Sequence, residues 1–175
     1  MRVKSKLRLS IVLAATLMSL PTVSHNREYK HISNLKFVQA YKVEQEQTEP
    51  KQDNLEQYLL DVDLLARLIY SEARGEPYIG KLAVGNVVMN RVMSERFPNT
   101  IRSVIYAQGQ FCVVRNGMID READQDSIDA AIEVMAGRRI LDGDVVYFYN
   151  PKTASDKWIR TRSVSARYGN HNFSR

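Results

Sequence analysis

The chain has 175 residues, which is enough for one ordinary domain with some additional chain but too few for two large domains. Its composition, 44% hydrophobic and 26% charged, excludes wholesale disorder and a bundle of membrane helices. The net charge is +5, but residues 1–24 hold four basic residues and no acidic one, which leaves 21 basic against 20 acidic residues elsewhere. A body so close to neutral argues against a nucleic-acid partner, which would require a clustered basic face.

Residues 1–24 have the order of a secretory signal peptide. A basic start is followed by an apolar run over 9–20, then by Pro21 and the small residues Thr22 and Ser24. The run is shorter than the roughly 20 apolar residues of a membrane-spanning helix. We therefore expect a signal peptide over 1–24, with an uncleaved N-terminal anchor as the alternative. In either case the protein is exported and works outside the cytoplasm.

Residues 25–54 have the composition of a polar linker. They carry five basic and five acidic residues and no sustained apolar period, so they cannot supply a core. We place the folded domain at residues 55–175, a length that can bury a single core.

The domain pattern predicts helices first and short strands afterwards. Apolar residues recur at helical spacing in its first part, whereas β-branched and aromatic residues form a run in its last part. Helices are predicted over 61–73, over 79–93, from a cap at 98–100 through Tyr106, and over 125–136. Strands are predicted over 145–149 and around Val164 and His171. This order indicates a segregated α+β fold.

Individual residues indicate where the predicted helices start, end and pack. Acidic Asp61 and Asp63 suit the first turn of the first helix. Small residues at Ala83 and Gly85 would let a neighbouring helix approach the second helix closely. Gly137 is expected to end the fourth helix. The inner stripe of the second helix is expected to comprise Leu82, Val88, Met89 and Val92.

Glu72 does not match its apolar surroundings. It lies four residues after Leu68 and seven after Leu65, so a regular helix places its carboxylate on the apolar face. Burial of a carboxylate raises its pKa, as a general acid working near neutral pH requires. Periodicity alone leaves a structural ion pair with Arg74, Arg91 or another cation near the helix end as the alternative.

The local sequence resembles the SleB/CwlJ family of cell-wall hydrolases. The motifs, in chain order, are LLARLI, YSEARGEP, AVGNVVMNRV, FPNTIRSVIY, GQF, VVYFYNP, the single Trp158, and GNHNF. They cover roughly residues 61–173. The resemblance implies a lysozyme-like or lytic-transglycosylase-like domain with a helical lobe and a small antiparallel sheet. It also implies cleavage of peptidoglycan glycan strands, as in the spore cortex-lytic enzymes of germination, by a chain located in the cell wall, periplasm, or spore cortex or coat.

In this family the first Glu of EARGEP is the catalytic acid, which corresponds to Glu72. No second carboxylate is singled out by the sequence: Asp120, Glu122 and Asp124 lie in a polar stretch typical of a solvated loop and helix start. Paired carboxylates would give hydrolysis. A single Glu acting as acid and then as base would give a lytic transglycosylase, in which the 6-hydroxyl of the sugar closes on its anomeric carbon. The resemblance favours the second route and leaves the first open.

Aromatic and amide side chains suit a glycan site, because sugar rings have apolar faces edged by hydroxyls. On the family pattern we assign substrate binding to Gln110, Tyr149, Asn150, Glu76, Trp158 and His171. Alternatives remain for three of them. Glu76 is more simply a solvated cap residue, Trp158 a residue that clamps a turn, and His171 one that satisfies a backbone group. The basic segment 150–175 either meets wall polymers or is a solvated face.

We expect no metal and no cofactor, because His25 and His31 lie in the linker and Cys112 is the single cysteine. Cys112 is expected to be buried and inert. The expected partner is the glycan strand, bound by a monomer, with an accessory targeting protein as a further expectation. Two other functions are weighed: a catalytically silent peptidoglycan-binding or spore-coat protein, and a peptide-cutting amidase using Cys112 with His171, for which no motif is present.

Overall fold

The computed structural model describes residues 52–175, so the predicted signal peptide and nearly all of the predicted linker lie outside the described residues. The helices are α1 (Gln52–Ala73), α2 (Tyr78–Val92), α3 (Ile101–Tyr106), α4 (Cys112–Arg115), a 3₁₀ helix (Met118–Asp120), α5 (Gln125–Met135) and α6 (Lys157–Arg160). The strands are β1 (Tyr147–Tyr149), β2 (Val164–Tyr168) and β3 (His171–Ser174). The predicted α+β class is confirmed. In the described range no helix has both the length and the apolar character needed to cross a membrane.

Helix α1 begins nine residues before its predicted start at Asp61. The two acids that were expected in the first turn instead lie in the middle of the helix and have partners one turn away. Gln57 Nε2 donates to Asp61 Oδ1 at 3.2 Å, and Arg67 pairs with Asp63 at 2.9 Å. The predicted start was wrong because acidic residues suit two positions in a helix. They stabilise its first turn, but they also form i,i+4 pairs in its interior.

Helix α2 is the central helix of the domain and is buried almost all round. Eleven of its 15 residues are buried. Of the predicted inner stripe, Leu82 and Val88 are buried, whereas Met89 and Val92 are only partly buried. Its Gly85 allows close packing as predicted: a Cβ there would lie 3.1 Å from Ile69 Cδ1 and 3.1 Å from Val134 Cγ2. The neighbouring helices α1 and α5 therefore press directly on the backbone of α2.

Helix ends follow the predicted capping chemistry. Thr100 accepts a hydrogen bond from Ser103 N at 3.1 Å and caps α3. Asp124 does the same for α5, accepting from Ser127 N at 2.8 Å. Just past the end of α5, Gly137 has a φ of +95°, a left-handed conformation that favours glycine.

The sheet is antiparallel with the strand order β1-β3-β2. Phe148 pairs with Phe173 across β1 and β3, and Phe173 is completely buried. The predicted strand over 145–149 is shorter than expected: Val145 and Val146 are buried but precede β1. The sheet thus closes one side of the helical core with its aromatic residues.

Candidate active site

Glu72 lies in the last turn of α1, before the chain turns at Gly75 and enters α2. Its side chain is half-buried, as the helical spacing predicted. Within the described residues it makes no hydrogen bond and no ion pair within 4 Å, so its carboxylate is available to bind a substrate. The structural alternative, an ion pair with Arg74 or Arg91, is not formed: the Arg74 guanidinium instead lies over the Tyr70 ring at 6.0 Å.

Among the described residues, Arg91 on α2 is the charged group that influences the pKa of Glu72. Burial raises the pKa of the Glu72 carboxyl above its usual range, and the positive charge of Arg91 opposes part of that rise. An acid with a raised pKa keeps its proton at higher pH and can donate it to a poor leaving group. The pKa of Glu72 is therefore shifted in the direction that a general acid requires.

Arg91 is held in a cage of three aromatic rings, which we call the aromatic cage: Phe97, Phe111 and Tyr147. Its Cζ lies 5.3, 5.1 and 5.9 Å from the respective ring centroids. Its Nε donates to the carbonyl oxygen of Val146 at 2.8 Å. Burial lowers the pKa of Arg91 to about 10, so the guanidinium is still charged at neutral pH.

The three candidate second carboxylates are exposed. Asp120 lies in the 3₁₀ helix, and Asp124 is occupied by its capping bond and by Lys81, whose Nζ lies 3.0 Å from its Oδ2. Among the described residues, Arg91 is the one charged group that shifts the pKa of Glu72. The polar stretch that contains Asp120, Glu122 and Asp124 is the solvated loop and helix start that its sequence indicated.

Glu76 is not the solvated cap residue that the sequence suggested. Its side chain is only 8% exposed, and both oxygens accept hydrogen bonds from Asn170 in the β2–β3 turn, from the backbone N at 2.8 Å and from Nδ2 at 3.2 Å. Gly169 in the same turn has a φ of +57°, and a Cβ there would overlap the Glu76 carboxylate. The carboxylate thus fastens the α1–α2 corner to the sheet.

His171 packs beside this carboxylate rather than satisfying a backbone group. Its Nδ1 is buried without a hydrogen-bond partner and lies 3.9 Å from Glu76 Oε1. Its ring meets Phe148 edge-on at 5.4 Å. Burial lowers the pKa of His171, and the nearby Glu76 charge offsets part of that shift.

The other predicted binding residues lie around the sheet and the loops. Tyr149 is half-buried in β1, and its hydroxyl accepts from Asn172 Nδ2 at 3.3 Å. The side chain of Asn150 accepts a hydrogen bond from the backbone N of Lys152 at 2.9 Å and so shapes the turn that follows β1. Gln110 is exposed and directly precedes Phe111 of the aromatic cage.

Trp158 is 50% exposed, and its ring meets Tyr147 edge-on with 5.2 Å between centroids. Arg162 stacks near both rings, with its Cζ 5.1 Å from Trp158 and 5.7 Å from Tyr147. Because Tyr147 is also one of the three rings around Arg91, the Trp158 surface adjoins the aromatic cage.

Two further expectations concern cysteine and metals. Cys112 is exposed at the start of α4, so the expectation that it is buried was wrong. Within α4 the buried residue is Val113, while Cys112 at the start of the helix is exposed. Across residues 52–175 no group of three or more His, Cys, Asp or Glu side chains is arranged to hold a metal ion.

Sequence reasoning missed the aromatic cage as a unit. Arg91 was considered only as an ion-pair partner, and Phe97, Phe111 and Tyr147 come from three separate segments of the chain. One signal was available: α2 is apolar over most of its length, and a charged residue in a helix buried all round requires an explanation.

A family model described as cell wall hydrolase matches residues 75–174. The match begins three residues after Glu72. Spore cortex-lytic enzymes of Bacillus cereus and Bacillus subtilis are 39% and 36% identical over 113 residues, covering 65% of this chain and 43% and 37% of theirs. This chain therefore spans less than half the length of those relatives. The cell wall hydrolase CwlJ of Oceanobacillus iheyensis is 35% identical over 120 residues and is covered to 84%.

Solved structures agree with these sequence matches. The catalytic domain of the Bacillus cereus SleB protein superposes with a TM-score of 0.61 at 37% identity, over 66% of this chain and 89% of that one. The catalytic domain of the germination-specific lytic transglycosylase SleB from Bacillus anthracis gives 0.62 at 36% identity, over 66% and 93%. The lysozyme-like fold expected from the motifs is confirmed.

Proposed function

The chain belongs to the cell wall hydrolase family, and from that premise we propose that it cleaves the glycan strands of peptidoglycan with Glu72 as general acid and base. The observation that carries the proposal is the state of Glu72. Its side chain is half-buried and free of hydrogen bonds in the described part of the chain, and the buried cation Arg91 offsets part of the rise in its pKa. A carboxyl in that setting can hold a proton near neutral pH and release it to a bound substrate.

In the first step Glu72 transfers its proton to the glycosidic oxygen. The bond between that oxygen and the anomeric carbon breaks, and the leaving sugar departs with a new hydroxyl group. The developing positive charge on the sugar ring faces a Glu72 that has become a carboxylate, and this favours the transition state electrostatically.

In the second step the Glu72 carboxylate takes a proton from the 6-hydroxyl of the same sugar. The 6-oxygen bonds to the anomeric carbon, which closes an anhydro ring and returns Glu72 to its protonated form. No water is consumed. If water attacks instead, the product is a reducing end and the enzyme is a muramidase.

The single-glutamate route is favoured by the charges around Glu72. A paired carboxylate at the distance needed for hydrolysis would raise the pKa of Glu72 by repulsion. In the described chain no such contribution accompanies burial and Arg91. The similar SleB domain from Bacillus anthracis supports the same route, since it is known as a lytic transglycosylase.

Substrate binding is proposed for Trp158, Tyr149, Asn150 and Gln110. Trp158 presents half of its surface to solvent next to Tyr147, which suits stacking against the apolar face of a sugar ring. Glu76 and His171, for which the sequence predicted substrate binding, are proposed to hold the β2–β3 turn, because both Glu76 oxygens are already occupied by Asn170.

The location follows from the same proposal. We propose that the chain is exported by residues 1–24 and acts on peptidoglycan in the cell wall or the spore cortex. The names of the relatives, spore cortex-lytic enzyme and cell wall hydrolase, allow either substrate.

The test incubates the purified protein and a Glu72→Gln variant with vegetative and with spore-cortex peptidoglycan, and identifies the released fragments by mass spectrometry. We expect anhydro-muramic ends from the parent and none from the variant. Asp120→Asn is the matched control, an exposed acid that should not affect the release. Reducing ends would replace the transglycosylase route with hydrolysis. A folded parent that releases nothing would favour the silent peptidoglycan-binding alternative.

A further inference from the structure

Two arginines of the basic segment 150–175 differ in their charged partners. The guanidinium of Arg175 lies 2.9 Å from Asp142 and 2.7 Å from Asp144, so two carboxylates compensate its charge. Arg162, between α6 and β2, is half-buried and has no Asp or Glu side chain within 4 Å in the described part of the chain. The fold therefore holds the positive charge of Arg162 without an acidic side chain beside it.

Two aromatic rings and one backbone oxygen hold the Arg162 guanidinium in place. Its Cζ lies 5.1 Å from the Trp158 ring centroid and 5.7 Å from that of Tyr147, and the two rings are perpendicular to each other. Its Nε donates to the backbone oxygen of Arg175 at 2.7 Å. Cation–π contacts orient a guanidinium but bring no negative charge to it. The one acidic residue of the segment, Asp156, caps α6 by accepting from Trp158 N at 2.8 Å.

The remaining nitrogens of Arg162 determine what this surface can bind. Among the described residues Nη1 and Nη2 make no hydrogen bond, and neither is buried, so both are open to solvent. Together they form a planar fork of N–H donors, which matches the two oxygens of a carboxylate. Trp158 beside them is 50% exposed, and its ring suits the apolar face of a sugar. The surface thus combines a place for a sugar ring with a place for an anion.

We infer that Arg162 binds a carboxylate of the glycan strand whose sugar ring stacks on Trp158, and so favours muramic acid residues that carry a free carboxylate. The inference rests on the proposed function, because it deepens the proposed role of Trp158 in glycan binding. Two parts of peptidoglycan supply such a carboxylate: the lactyl side chain of muramic acid where no peptide is attached, and the stem peptide where one is. A neutral strand lacks the charge-assisted hydrogen bonds that either carboxylate accepts.

Trp158 is the single tryptophan of the chain, so its fluorescence reports binding at this surface. The probes are three tetrasaccharides of alternating N-acetylglucosamine and N-acetylmuramic acid: one with free lactyl carboxylates, one with stem peptides, and one with the lactyl groups as neutral methylamides. Titrations use the Glu72→Gln protein, so that no strand is cleaved. At least one charged strand should bind about tenfold more tightly than the neutral strand, and salt at about 0.5 M should reduce that difference.

Variants made in the same Glu72→Gln protein identify the group that recognises the charge. Arg162→Gln should lower the affinity for the charged strand about tenfold and leave that for the neutral strand unchanged. Arg162→Lys, which keeps the charge without the planar fork, should recover part of the loss. Arg167→Gln, which removes an exposed cation from β2, is the matched control and should bind all three strands as before. Arg162→Met provides a second neutral variant should Arg162→Gln not fold.

The source of the carboxylate follows from which charged strand responds: the free lactyl strand assigns it to muramic acid itself, and the peptide-bearing strand assigns it to the stem peptide. The inference is overturned if charged and neutral strands bind equally, if Arg162→Gln weakens all three strands alike, or if Trp158 responds to none of them. None of these outcomes bears on Glu72, because cleavage is judged by fragment release from the protein that retains Glu72.

Discussion

Two glutamates four residues apart, Glu72 and Glu76, have the same chemistry and opposite surroundings. Both oxygens of Glu76 are occupied by Asn170, and its side chain is 8% exposed. Glu72 accepts no hydrogen bond in the described chain and is influenced by one caged cation at a distance. Glu76 is therefore fixed by its partners, while Glu72 can exchange a proton.

The comparison shows what separates an acid that stabilises a fold from one available for chemistry. Hydrogen bonds to a carboxylate satisfy its oxygens and restrain its geometry, so the group strengthens the fold. A carboxyl that is half-buried but unbonded destabilises the fold when it is charged, which is the usual position of a catalytic group.

Replacing each glutamate by glutamine should give the largest difference between the two residues, in activity for Glu72 and in stability for Glu76. Glu72→Gln should lower activity on peptidoglycan by about 10²–10⁴-fold, because an amide cannot donate the proton. Glu76→Gln should instead lower the free energy of unfolding by about 2 kcal/mol, since one acceptor to Asn170 becomes a donor. Activity assays and denaturant unfolding of both variants measure the two effects.

The contrast between the two glutamates would be wrong if Glu76→Gln lost activity, or if both variants lost activity and stability alike. Loss of activity in a fully folded Glu76→Gln protein, with Glu72→Gln active, would identify the second glutamate as the acid. Glu76→Asp, which keeps the charge on a shorter chain, distinguishes a need for the charge from a need for the bonding distance to Asn170.

Local signals predicted much of this arrangement from the sequence. The Thr100 cap, the end of α5 at Gly137 and the close contact at Gly85 each depend on one residue and its neighbours, and the structure confirms all three. The apolar face that holds Glu72 depends on spacing within one helix, which a sequence displays directly.

What the sequence did not predict depends on contacts between distant segments. The bond from Asn170 to Glu76 spans 94 residues, and the cage around Arg91 combines three loop and strand residues with one helix. Short elements were missed for a different reason. Helices α4 and α6 have four residues each, too few to show a period. The start of α1 was missed although Leu55, Tyr58, Leu59 and Val62 have helical spacing, because Asp61 and Asp63 were interpreted as its first turn.

A substitution at Gly169 tests more directly how the Glu76 carboxylate contributes to stability. Gly169→Ala places a Cβ against the Glu76 carboxylate at a φ of +57°, so it should lower the free energy of unfolding by about 3 kcal/mol. Gly109→Ala is the matched control: its φ is +75° but the space around it is open, so only about 1 kcal/mol should be lost. Equal losses in the two variants would show that the contact with Glu76 adds nothing to the cost of the left-handed backbone.

Stability against pH should distinguish the two glutamates further. The pKa of Glu72 is raised in the folded state, so its contribution to stability is present below the unfolded value and is lost as the pH rises through the folded one. Glu72→Gln should therefore raise the Tm by a few degrees at pH 7 and have less effect near pH 4. Thermal melts at both pH values test this, with Asp120→Asn as an exposed control that should shift neither.

Replacing His171, which lies between Glu76 and the sheet, should give the smallest effect on stability. Burial lowers its pKa below 6.5 in the folded state, and Glu76 offsets part of that shift. The unfolded chain therefore binds the proton first, and stability falls as the pH drops below 6.5 and levels off once the folded histidine is also protonated. His171→Gln should flatten this decline in Tm between pH 7 and pH 5, whereas Glu76→Gln should steepen it, because the charge that assists protonation is gone. Parallel slopes in the parent and both variants would show that the 3.9 Å approach of Nδ1 to Glu76 has no electrostatic consequence.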